Sequence, residues 1–159
     1  MDKIPAVETA KTLMAEAVSW SVMKWLREKK RVRKIADQAN AALDELNLAV
    51  KKRWPDEIRS AYDALAQEET GNRRPRSPQD ANPATDDKET RLKKVKEADI
   101  EAYSARMEAE ETFDTAEKKL STALAREGCR KAIHSWELHE KAIRKAEDLI
   151  SLQKELHII

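Results

Sequence analysis

Glycine is almost missing from this chain, with two residues in 159. That excludes the phosphate-cradling loops of nucleotide-binding proteins, whose backbone must approach the ligand closely at several glycines. Cysteine is missing but for Cys129, so neither an internal disulfide nor a thiolate-based zinc site can form. Aromatic residues make up only 4% of the chain, and β-branched residues are few. A sheet needs both to fill its pleated, half-buried surface. No charge sign predominates, with 31 Lys and Arg against 30 Asp and Glu, so the whole chain has no pull toward nucleic acid or anionic lipid. The most apolar stretch, Leu13 to Leu26, is broken by Glu16, Ser19, Ser21 and Lys24. It falls well short of the ~20 apolar residues of a transmembrane helix. The N-terminus lacks the basic start and unbroken apolar core of an export signal, and a cytoplasmic location is expected on that ground alone.

What remains is rich in Ala, Glu, Lys, Leu and Arg, the composition of long helices and coiled coils. The expectation is a single elongated all-α domain. Between Pro5 and Pro55 there is no proline or glycine, which predicts one helix over about 5–54, roughly 75 Å long. Pro55 restricts Trp54 and forces a break, and Asp56 and Glu57 suit the first turn of a second helix over about 56–69. Residues 71–86 hold Gly71 and three of the five prolines and almost no apolar side chain, the signature of a mobile loop. A last helix is predicted over about 87–157, with Gly128 the one place where it can break.

In the first helix an apolar stripe steps alternately by four and three: Val18, Val22, Trp25, Lys29, Val32, Ala36, Ala39, Leu43, Leu46 and Val50. That period of 3.5 is a coiled-coil seam, and only Lys29 interrupts it. A looser seam runs from Leu92 through Ala102, Ala109, Phe113 and Leu120 to Ile133, Trp136, Ile143 and Ile150. Two arms of similar length predict a long antiparallel helical hairpin folded at the 71–86 loop, with facing residue numbers adding to about 156. That register brings Trp20 and Trp25 close to Trp136 at an open end. There the apolar residues cover more than one face of each helix. One neighbour cannot cover both, so a second copy, a fold-back at Gly128 or another protein is expected to do so.

Motifs for catalysis are wanting. His134 and His139 are five apart, on different helix faces, and neither they nor His157 follow an acid at the Glu-x-x-His spacing of carboxylate-bridged metal bundles. Ser135 adjoins His134, but neighbours on a helix point apart. Cys129, beside Arg130 and Lys131, reads as a half-buried helix residue. No catalytic, cofactor or metal residue is assigned, and the protein is not expected to be an enzyme. The expected role is a non-catalytic interaction or scaffold protein, a homodimer or the partner of another helical protein. The predicted partner-binding residues are Trp20, Met23, Trp25, Ile133, Trp136 and Ile143. The alternative is nucleic-acid association through a basic stripe at Arg27, Lys30, Arg31, Arg33 and Lys34, with a second at residues 91–96. Peripheral membrane contact through Trp20, Trp25 and the same basic run is a further, less favoured reading.

Overall fold

The computed structural model describes the backbone of residues 4–70 and 83–158 and the side chains of residues 4–65 and 90–151. The fold is all-α among these residues. The helices are α1 (Pro5–Ala17), α2 (Val22–Lys52), α3 (Asp56–Thr70), α4 (Pro83–Lys119) and α5 (Thr122–Ile158). The expected break at Pro55 is where α2 gives way to α3. Of the predicted mobile loop, residues 71–82 lie outside the described residues, and the rest already belongs to α4, which starts at Pro83 rather than at 87.

The predicted 5–54 helix is two helices. Α short turn at Val18–Ser21 separates them, closed by Ser19 N–H and Trp20 N–H donating to the carbonyls of Glu16 and Ala17. The Ser19 hydroxyl also donates to Glu16 O at 2.9 Å. Ser21 then starts α2 in an extended conformation, its Oγ accepting from Lys24 N–H. Serine side chains compete for backbone groups in this way and favour helix starts over helix interiors. Thus α1 folds back along α2 and also reaches α5, where Lys11 meets Glu140 at 3.2 Å. The second apolar face, which required cover, receives it from the chain's own Val7, Ala10, Leu13, Met14 and Ala17, all buried.

The last helix is likewise two, but it does not break at Gly128. α4 stops at Lys119, Leu120 takes a left-handed backbone (φ 50°), and Ser121 N–H reaches back to Ala116 O at 3.2 Å. That long return bond is the Schellman closure of a helix C-terminus, here with leucine where glycine usually sits. Ser121 Oγ accepts from Leu124 N–H and caps α5. Gly128 stays helical. A Cβ there would lie 3.0 Å from the Phe113 ring, so the missing side chain is what lets α4 and α5 approach.

The long hairpin therefore exists, but its tightest pairing is α4 with α5, turned at Leu120–Ser121. Small buried residues line both sides, Ala102, Ala109 and Ala116 on α4 and Ala125, Ala132 and Ala142 on α5. α2 and α3 still oppose α4 in the antiparallel sense. Arg33 meets Asp114 at 2.8 Å, Arg106 meets Asp44 at 2.8 Å, Lys51 meets Asp99 at 3.0 Å, and Lys96 donates to the carbonyl of Leu65. These partners bracket the register expected from the sequence. α5 runs parallel to α2, placing Trp136 against Asn40 and Glu147 against Arg53. It is the central helix, touching α1, α2 and α4.

Candidate docking surface

The fold separates the tryptophans that the sequence reading gathers at one end. Trp20 and Trp25 do pair, edge to face at 5.5 Å. Trp136 lies instead beside Asn40, four helical turns further along α2, or roughly 22 Å from Trp25. The turn at Leu120–Ser121 is the cause, because α5 starts at that end and runs parallel to α2, carrying Trp136 away from it. Trp20, Trp25, Trp136 and Ile143 are buried by the chain's own helices, and Ile133 is half-buried. Of the six predicted contact residues only Met23, 66% exposed, faces solvent. The predicted Trp-rich surface is largely interior.

An apolar surface nonetheless remains at that end. A shallow groove runs between the start of α2 and the α4–α5 turn. Val22, Trp25, Leu26, Lys29, Val32 and Arg33 form one wall, and Phe113, Ala116, Glu117, Leu120, Ser121, Thr122 and Ala125 the other. Leu120 is 54% exposed, and Val18, Val22 and Leu26 are exposed as well. Leu26, Phe113 and Leu120 were not assigned to a site from the sequence. Their signal was present, however, since Leu26 closes the most apolar stretch and Phe113 and Leu120 belong to the second seam.

The end of the bundle around the groove is basic, while the lining itself holds Lys29, Arg33 and one acid, Glu117. Residues 15–34 and 114–130 together carry eleven Lys and Arg against five Asp and Glu, on a chain whose net charge is only +1. α2 and α5 both start here, and neither has an acidic residue in its first turn, so two positive helix ends add to the side-chain charge. Lys29, the one interruption of the α2 seam, lines the groove without an ion pair among the described residues. The indole N–H of Trp25 and one guanidinium nitrogen of Arg33, Nη1, are buried with no hydrogen-bond partner. A buried donor left unmatched costs about 1–3 kcal/mol. Apolar walls with unmatched donors and excess positive charge suit a ligand that brings both apolar groups and carboxylates.

The opposite chemistry lies on α4. Ile100, Tyr103 and Met107 are exposed, the last two at 60% and 50%, and their spacing of three and four puts them on one helix face. Residues 97–117 hold eight acids and one base, Arg106. Glu97, Glu101 and Glu111 are exposed and have no ion pair among the described residues.

The remaining candidates have local explanations. Arg27, Lys30, Arg31 and Lys34 are exposed, Arg31 beside Glu28 at 3.4 Å, while Arg33 is tied to Asp114. The second basic stripe lies at the other end of α4, where Lys96 is buried, so the two do not form one track. His139 is buried, its Nδ1 2.8 Å from Ser135 O, and His134 is exposed. The side chain of His157 lies outside the described residues. Burial pushes the Cys129 thiol up to about 12. Lys131 bridges α4 and α5 through Glu108 at 3.1 Å and Thr112 at 3.2 Å, and the Glu108 hydrogen bond raises its pKa. Among the described residues no cluster of three or more His, Cys, Asp or Glu could hold a metal ion, and no helix is long and apolar enough to cross a membrane. Comparison with protein-family models, curated proteins and solved structures gives no match to the chain.

Proposed function

We propose that this protein is a non-catalytic docking component whose working surface is the groove between the start of α2 and the α4–α5 turn. The observation that carries the reading is the exposed apolar wall at Val22, Leu26 and Leu120 at the basic end of the bundle, with Lys29 in that wall. A helix laid in such a groove inserts apolar anchors spaced by three and four, and acids flanking those anchors meet the rim. Tryptophan and arginine at the base are the residue types that concentrate binding energy in protein interfaces.

The test is a titration with a model acidic amphipathic helix, free of tryptophan, followed by the emission of Trp25 as the difference between wild type and Trp25→Phe. A saturable shift that weakens with salt and disappears in Leu26→Glu supports docking. No shift at low salt removes the reading. A second reading, association with nucleic acid, draws on the exposed face formed by Arg27, Lys30, Arg31 and Lys34. It requires binding to a labelled duplex that falls steeply with salt and is lost when Lys30 and Lys34 become Glu.

A further inference from the structure

We propose that the groove is filled by α4 of a second copy of this chain, through its Ile100–Tyr103–Met107 stripe. This rests on the docking reading above and names its partner. The molecule carries two exposed apolar surfaces, one at the basic end of the bundle and one flanked by acids. The groove has apolar walls, the unpaired ammonium of Lys29 and two buried donors without partners, at Trp25 and Arg33. The stripe has three exposed apolar anchors, with unpaired carboxylates at Glu97, Glu101 and Glu111 alongside them.

The lengths agree. From Ile100 to Met107 the anchors span roughly 10 Å, and the α2 wall from Val22 to Arg33 spans roughly 16 Å. The stripe lies on the exposed side of α4, about two to four turns before the buried groove residues Phe113 and Ala116, so stripe and groove are separate surfaces of one molecule. A lipid surface would cover the groove and its cations but leave the acidic stripe bare. A second copy covers both.

Sedimentation velocity of the full chain over a range of concentration and salt tests this. A dimer is expected at low salt, weakening about tenfold or more toward 0.5 M salt as the charge attraction is screened. Leu26→Glu and Met107→Lys each alter one exposed residue, and both variants are expected to keep the helical circular dichroism of the wild type. Each alone should be monomeric. Mixed together they should form a heterodimer, because the intact groove of Met107→Lys meets the intact stripe of Leu26→Glu. Glu101→Lys with Glu111→Lys, which touches no apolar contact, should weaken the dimer on its own.

A monomer at every concentration at low salt overturns the proposal, as does a dimer indifferent to Met107→Lys. If that monomer binds the acidic helical peptide through Leu26, self-association fails and the docking reading stands. If it binds neither, both fail. If it binds vesicles of phosphatidylserine and phosphatidylcholine through Leu26 and not the peptide, the groove is a lipid-facing surface, and both fail.

Discussion

The middle of the bundle and its α4–α5 end handle the same residue type in opposite ways. Around Trp136 every requirement is met. The ring is buried, its indole N–H donates to Asn40 Oδ1 at 2.9 Å, and close helix approach surrounds it with small residues. Around Trp25 the ring is also covered, but its N–H has no acceptor, and Leu26, Val22 and Leu120 beside it face water. The first region stabilises the fold. The second leaves apolar area uncovered beside an unpartnered donor; the orphan N–H alone does not mark it, since buried Trp54 has one too. Tryptophan content alone does not distinguish them. What distinguishes them is whether a polar partner and a covering helix arrive together.

The contrast can be tested by substitution. Trp136→Ala should have the largest effect, a loss of about 3–5 kcal/mol in chemical unfolding, because a fully buried ring leaves a cavity and orphans Asn40. The same substitution at Trp25 should cost clearly less, and equal losses would erase the distinction between the regions. Cys129 also belongs to the satisfied interior. Its thiol, held up at about 12 against an ordinary 9.0, should react with iodoacetamide at pH 8 about a thousandfold more slowly than in unfolded protein, because the thiolate is the nucleophile. The sign for stability follows. The unfolded thiol ionises first, so this contribution is full below pH 9 and is lost as pH rises toward 12. A Cys129→Ala variant should show a weaker alkaline decline.

Gly128→Val should cost about 1–3 kcal/mol by thermal or urea unfolding, since even its Cβ meets the Phe113 ring at 3.0 Å. Leu120→Gly should act in the other direction, adding about 1 kcal/mol by relieving a left-handed leucine. If glycine there leaves the melting curve where it was, the turn is not strained. Leu26→Glu should be the mildest for the fold, within about 0.5 kcal/mol, as for other exposed substitutions. It should nonetheless abolish docking.

Much of the architecture could be read from residue spacing. The α2 seam from Trp25 to Val50 is buried at nearly every predicted position, because a 3.5-residue period leaves a helix one face to hide. Pro55 marked its break through backbone sterics. The two unforeseen turns had weaker signals. Ser19–Ser21 and Leu120–Ser121 contain neither proline nor glycine, and serine caps a helix only where a tertiary packing gain rewards the reversal. Gly128 misled for a related reason. Glycine permits a turn, but it also permits close approach, and spacing along one helix cannot tell which the neighbour demands. The groove was the least legible feature, since it joins residues from about 22–33 with residues from about 113–125.

Composition and periodicity determined that this chain is helical, which faces of its helices turn inward and that α2 opposes α4, because those properties depend on residues a few positions apart. Tertiary structure decided where the helices reverse, which tryptophans are satisfied and where apolar surface and positive charge coincide. Those outcomes depend on which distant side chains compete for the same buried space, and the chain resolves that competition only by folding.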